Sequence, residues 1–176
     1  MASNGNVLTD LDTESNGPNG ADTGPAAGII SQYVKDLSVE NPNAPTSYQW
    51  QEQPQVDIQV NIASNKVNDE VFEVELKITA TAKCDKGTMY LVDLSYCGLV
   101  GMRNVPDEAA HMFQYAETPR LLFPFARSVI ADATRDAGYP PLVLDPMDFG
   151  QLYQQQLAAR AQQQQGEGAQ PPSGNA

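Results

Sequence analysis

Apolar residues at every second position through the middle of the chain constrain its fold more than any other feature. In residues 55–62, and again in residues 72–82, apolar side chains alternate with polar ones. A period of two is typical of a β-strand with one buried face, since successive side chains point to opposite sides. Asn68 and Asp69, between the runs, are common turn residues. The pattern therefore predicts an antiparallel hairpin with one apolar and one acidic face.

Two further runs have the same alternation. Residues 89–96 place apolar side chains on both sides of a strand, and residues 33–40 place Asp36 and Glu40 opposite an apolar face. The segment after the earlier run, residues 41–45, contains two prolines. Proline cannot donate to a β-ladder, so this segment predicts an extended crossing connection rather than a strand.

The second half of the chain changes to helical spacing. We predict a helix in residues 107–115 that ends at Pro119, and a second in residues 124–137 that ends at Gly138. A third helix is expected after Asp145 as N-cap, with Pro146 at its first position. Strands followed by helices predict an α+β fold with an antiparallel sheet.

Both ends of the chain are polar and rich in Gly, Asn, Gln and Pro. Such composition cannot bury enough apolar surface to offset the entropy lost on ordering. We therefore predict disordered tails in residues 1–28 and 162–176 around one folded domain in residues 29–161. The N-terminal tail has no basic start or apolar run, so it does not resemble a secretory signal, and a soluble protein is expected.

The charge balance excludes several classes of partner. The chain has 22 acidic and 10 basic residues, a net charge of −12. Nucleic acids and anionic membranes are bound mainly through Lys and Arg, so neither is expected as a partner, and a basic partner fits better. Cys84 and Cys97 lack zinc-site spacing and histidine partners, so we expect reduced thiols, no metal and no cofactor.

No pattern supports catalysis. The one histidine, His111, lies within a predicted helix, and no nucleophile elbow or phosphate-binding loop is present. We predict no catalytic residue, and a packing or surface role for His111. Residues 121–125 and 139–144 are instead densely apolar. Two helices cannot easily bury all of this apolar surface in a monomer, which favours an interface or a groove.

Three segments resemble the SecB family of bacterial protein-export chaperones: residues 34–45 (VKDLSVENPNAP), 122–127 (LFPFAR) and 138–149 (GYPPLVLDPMDF). Their order and spacing are similar to the family's from residue 30 to about residue 157. The resemblance implies a four-stranded antiparallel sheet with a crossing connection, helices on one side, and assembly as a dimer of dimers, a homotetramer. It also implies an ATP-independent cytoplasmic holdase that binds unfolded precursor proteins and delivers them to the SecA motor for export.

The resemblance also assigns a docking surface for SecA, which has a short basic C-terminal segment. The matching positions are Asp36, Glu40, Leu91 and Asp93, and a period of two places each strand's pair on one face. For the tetramer interface we expect Val92, Leu94 and Tyr96, on one face of their strand.

Client binding is expected in a long apolar groove that reads no precise sequence, because a holdase must accept many unfolded chains. The predicted groove residues are aromatic or aliphatic, and they are Tyr48, Trp50, Phe125, Leu142, Leu144, Phe149 and Tyr153. The family can have a tryptophan slightly after Trp50, where this chain has Glu52.

Two alternatives remain beside the export holdase. One keeps the fold but serves a single partner, as SecB-like chaperones of toxin-antitoxin systems do. The other is a small hydrolase that uses His111, for which no partner residues are visible.

Overall fold

The structure is a computed structural model that describes residues 24–167. It contains four strands, β1 (Ala26–Glu40), β2 (Gln55–Lys66), β3 (Val71–Cys84) and β4 (Gly87–Arg103). The helices are α1 (Asp107–Met112), α2 (Thr118–Asp136) and α3 (Phe149–Glu167), with a π-helical segment, Phe113–Glu117, between the first two. This is the predicted α+β architecture.

The strands form one antiparallel sheet in the order β1-β4-β3-β2. The predicted hairpin is β2–β3, and the Asn68 side chain closes its turn by accepting hydrogen bonds from the backbone of Glu70 (3.0 Å) and Val71 (2.9 Å). A short 3-10 helix, Thr46–Gln49, lies in the crossing connection between β1 and β2. Strands β1 and β2, which are consecutive in the sequence, therefore occupy opposite edges of the sheet.

Alternate residues of β3 and β4 form the core with α2. Leu76, Ile78 and Leu94 are fully buried there, together with Leu122 and Ile130 of the helix. Gly98 allows the close approach, since a Cβ at that position would lie 3.1 Å from the Leu122 side chain. The helices cover this side of the sheet, and we call the opposite side the outward face.

The prediction that Pro119 ends the first helix was wrong. The helical path runs from Asp107 to Asp136, with Pro119 and Pro124 inside α2. A proline ring ordinarily clashes with the carbonyl four residues earlier. Here the backbone N–H of Thr118 bonds the carbonyl of Phe113, five residues back. The wider π turn shifts the register beside Pro119 and lets the helix continue.

The end of α2 agrees with prediction, but the start of α3 does not. Gly138 has a φ of +89° and its N–H bonds the Arg135 carbonyl (3.0 Å), which terminates α2. The last helix begins after Asp148, whose carboxylate accepts a hydrogen bond from the Gln151 N–H (2.9 Å). Asp148 rather than Asp145 therefore caps α3, three residues later than expected.

The predicted tail boundaries also differ from the structure. Strand β1 begins at Ala26, inside the tail predicted for residues 1–28, and α3 continues to Glu167, inside the one predicted for residues 162–176. Residues 1–23 and 168–176 of these tails lie outside the described residues.

Candidate functional sites on the two sides of the sheet

The predicted docking residues share the outward face. In the ladder between β1 and β4, Glu40 is paired with Leu91, Ser38 with Asp93, and Asp36 with Ser95. Paired residues of adjacent strands lie on the same side of a sheet. The alternation predicted that each strand's pair shares one face, and the pairing of β1 with β4 brings Asp36, Glu40, Leu91 and Asp93 together on the same face.

Asp93 differs from the other carboxylates of this group because two neighbours on β3 hold it. Its Oδ1 lies 3.3 Å from the Lys77 ammonium, and its Oδ2 accepts a hydrogen bond from the Thr79 hydroxyl (3.3 Å). Asp36 and Glu40 have no ion pair within residues 24–167. Both are exposed, whereas Asp93 is half-buried.

A second carboxylate of the outward face, Glu73, is held in the same way. It forms an ion pair with Lys35 (2.6 Å) and accepts a hydrogen bond from the Tyr33 hydroxyl. These hydrogen bonds, from Lys35 first and then Tyr33, lower the pKa of Glu73. The hydrogen bond to Glu73, together with burial, raises the pKa of Tyr33 to about 12. The hydrogen bond therefore stabilises the charged form of the Glu73 carboxylate and the neutral form of the Tyr33 hydroxyl.

The three residues expected at a tetramer interface are inside the protomer. Val92, Leu94 and Tyr96 point to the helix-covered side of β4, with exposures of 0%, 0% and 7%. They belong to the core cluster that includes Leu122. The alternation identified a buried face correctly, but α2 of the same chain covers it, so these residues are not available to another subunit.

On the helix-covered side, the crossing connection is fixed to the segment after α2 through Tyr139. The Tyr139 hydroxyl donates to the Met89 carbonyl (3.0 Å) and accepts from the Ser47 hydroxyl (2.8 Å). Its ring lies 5.2 Å from that of Tyr48 and 4.9 Å from that of Tyr90. Tyr48 also donates to the Ala137 carbonyl (2.8 Å). This network of hydroxyls and rings, with Tyr139 buried at its centre, fixes the position of the connection.

A cavity of about 610 Å³ opens beside this network. It is bounded by the crossing connection on one side and by the segment after α2 on the other, and its lining includes Tyr48, Trp50, Glu52, Tyr90 and Leu142. Glu52 forms an ion pair with Lys86 (3.2 Å) at its margin. Three of the predicted groove residues, Tyr48, Trp50 and Leu142, therefore line one cavity, which we call the first cavity.

A second cavity, of about 380 Å³, lies between the edge strand β2 and α3. Ile58, Val60 and Ile62 of β2 form one wall, opposite Leu144 and Leu152. The segment after α2 contributes to both cavities, with residues 138–142 lining the first and residues 144–147 lining the second. Sequence analysis missed the β2 residues as groove candidates, because alternation predicts a buried face without showing that the strand lies at a sheet edge.

The other predicted groove residues are more scattered. Leu144 borders the second cavity but is only 2% exposed, and Phe149, 1% exposed, lies in the core against Phe123 at 5.5 Å. Phe149 is therefore a core residue rather than a groove residue. Tyr153 is buried and bonded to His111, and Phe125, 49% exposed, lines neither cavity.

His111 has a packing role, one of the two roles that were predicted for it. Its Nδ1 is 2.8 Å from the Tyr153 hydroxyl, and its ring stacks on Tyr115 at 4.6 Å. These contacts join α1 to α3. Among the described residues, no group of three or more His, Cys, Asp or Glu side chains is placed to hold a metal ion. No helix within residues 24–167 is long and apolar enough to cross a membrane.

Exposed apolar side chains remain on the edge strand β1 and on helices α1 and α2. Ile30, Val34, Leu37 and Val39 of β1 are 39–62% exposed, and Met112, Leu121 and Phe125 of the helices 39–49%. A concentration of large apolar side chains at a free sheet edge is typical of an interface.

Comparison with known proteins agrees with this architecture. A family model described as preprotein translocase subunit SecB matches residues 20–160. The protein-export protein SecB of Erythrobacter litoralis is 62% identical over an alignment of 178 residues that covers 100% of both chains. That of Novosphingobium aromaticivorans is 61% identical over 159 residues, 90% of this chain and 92% of the relative.

A solved structure shows the same fold. The SecB-like chaperone of Mycobacterium tuberculosis, determined in complex with a ChAD peptide from an antitoxin, has a TM-score of 0.57. It is 16% identical, and the match covers 69% of this chain and 90% of that one. At this identity the comparison supports the fold alone, whereas the two export relatives share most of the sequence.

Proposed function

Because the chain belongs to the SecB family of protein-export chaperones, we propose that it holds unfolded precursor proteins in its two cavities, without ATP, and delivers them to SecA. Family membership already makes it an export chaperone rather than an enzyme. The proposal adds where clients and motor bind. The observation that supports it best is the pair of apolar cavities along the residues between Gly138 and Met147, on the side opposite the acidic docking residues.

The walls of the cavities suit extended, unfolded segments. Aromatic rings in the first cavity offer large contact area at low entropy cost. Strand β2 at the second cavity is a sheet edge, so it can offer backbone hydrogen bonds to an extended chain without reading its sequence. Together they provide apolar contact and backbone pairing, which are the two interactions that any unfolded polypeptide can make.

Two neighbouring residues test the client groove. Leu142 lines the first cavity, whereas Val143 is 60% exposed and lines neither cavity. We expect Leu142→Asp to raise the Kd for an unfolded precursor about tenfold, since it places a charge in an apolar wall. Val143→Asp, with the same charge, should change it less than about twofold. Binding is measured by titration, and aggregation by light scattering without ATP. Equal effects of the two variants would contradict the assignment.

We place SecA on the outward face, at Asp36, Glu40, Leu91 and Asp93. The charge of the face complements a basic partner, and the apolar Leu91 lies directly beside Glu40 in the ladder. Charges of this kind raise association rates and specificity, and their contribution falls with salt. The client cavities lie on the other side of the sheet, so the chain can hold a client and dock on SecA at the same time.

We further propose a homotetramer, a dimer of dimers, in the cytoplasm. The buried residues Val92, Leu94 and Tyr96 cannot form its interfaces. The exposed apolar residues of β1 and of the helices, Leu37 and Leu121 among them, are the surfaces that the proposal uses instead. Sedimentation equilibrium should give the mass of four chains.

A further inference from the structure

The proposed docking face contains a cation that stands between one of its carboxylates and any partner. Lys77 projects from β3 with its ammonium 3.3 Å from Asp93 Oδ1. The Lys77 side chain is 47% exposed and that of Asp93 is 28% exposed. A basic partner approaching Asp93 therefore meets the Lys77 ammonium before it meets the carboxylate.

The ion pair leaves the carboxylate incompletely bonded. Oδ1 of Asp93 is buried and accepts no hydrogen bond, since the Lys77 contact is electrostatic only, while Oδ2 accepts from Thr79. A buried acceptor without a hydrogen bond is costly, and more so when it is charged. A donor that displaced Lys77 and bonded Oδ1 would gain an interaction that the free protein does not make.

We infer that Lys77 is a built-in competitor of the basic partner: docking exchanges the Lys77 ammonium for a cation of the partner, and Lys77 thereby limits the affinity. This inference rests on the proposed docking at the outward face. It divides the docking carboxylates into two kinds, Asp36 and Glu40, which are ready to bind, and Asp93, which must first be released. A weaker complex suits a chaperone that has to leave its motor after each delivery.

Lys83 provides a matched control for Lys77. It is an exposed lysine on the same strand and has no ion pair within the described part of the chain. Replacement of either lysine by glutamine changes the net charge equally. At low salt we expect Lys77→Gln to lower the Kd for purified SecA about three- to fivefold, the upper part of the range for a surface ion pair, and Lys83→Gln less than about twofold.

A double-mutant cycle with Asp93→Asn separates local competition from general charge. If Lys77 acts through Asp93, the gain in SecA affinity from Lys77→Gln should fall, in the Asp93→Asn background, to the gain that Lys83→Gln gives. Equal gains from both lysine variants, or a gain that persists undiminished in the Asp93→Asn background, would overturn the inference. Asp36→Lys is measured alongside. If it leaves the Kd unchanged, the proposed docking site itself is wrong. If it causes a large loss of affinity while Lys77→Gln has no effect, only the inference about Lys77 is wrong.

Discussion

The outward face and the helix-covered side are formed by alternate residues of the same strands, yet their side chains have different surroundings. On the helix side, Val92 and Leu94 are packed beneath α2, and the cavities are bounded by rings and aliphatic side chains. On the outward face, Leu91 and Asp93 lie among charged and hydroxyl side chains. One residue step along β4 thus separates side chains packed in the core from side chains of the outward face, for which we propose partner recognition, since a period of two places successive side chains on opposite sides.

The largest expected effect compares two leucines of β4 three positions apart. Leu94 is fully buried, so Leu94→Ala should lower the free energy of unfolding by about 2–5 kcal/mol through lost burial and a cavity. Leu91 is half-buried on the outward face, and Leu91→Ala should cost about 1 kcal/mol or less. Urea denaturation followed by circular dichroism measures both. Similar losses of unfolding free energy in the two variants would show that the two sides of β4 contribute equally to stability, contrary to this expectation.

An intermediate effect is expected for charge reversal on the outward face. Asp36→Lys should weaken SecA binding at least about tenfold at low salt, with a smaller difference at high salt. Asp57→Lys is the control, because this substitution changes the charge by the same amount on β2, at the opposite edge of the same sheet. It should change the Kd about twofold or less. Both Kd values are measured by isothermal titration over a range of salt; losses of equal size would indicate net charge rather than a docking site.

The smallest effect concerns acid stability. The pKa of Glu73 lies below its ordinary value of 4.5, so the folded state binds the proton less tightly than the unfolded state. Its contribution to stability is therefore present above that value and is lost as the pH falls through the lowered pKa. Glu73→Gln should be less stable than wild type at neutral pH, by about 1 kcal/mol at most, with the difference shrinking in acid. Thermal unfolding from pH 7 to pH 3 measures this. The expectation fails if Glu75→Gln, which removes a neighbouring carboxylate without an ion pair in residues 24–167, behaves identically.

Local patterns predicted the strands well, because the alternation of a strand is local information. The alternation in residues 55–62 and 72–82 is sufficient to assign β2 and β3, and that in residues 33–40 places Asp36 and Glu40 on one face of β1. Helix boundaries were less predictable, since the effect of Pro119 depends on the π turn before it and the cap of α3 depends on which aspartate the chain path presents. The residues that line the cavities were only partly predicted, because Leu142 and Phe149 are both apolar but, of the two, Leu142 alone lines either cavity.

The sequence by itself determined the family, the α+β class and the separation of an acidic from an apolar strand face. These follow from motifs and from a period of two, which each strand shows without reference to the rest of the chain. Only the tertiary structure decided which apolar face is covered within the protomer, that β1 and β2 are the edges, and that Lys77 lies over Asp93. Sheet order and helix placement bring together residues distant in sequence, and an alternating pattern shows that a face is buried but not what covers it.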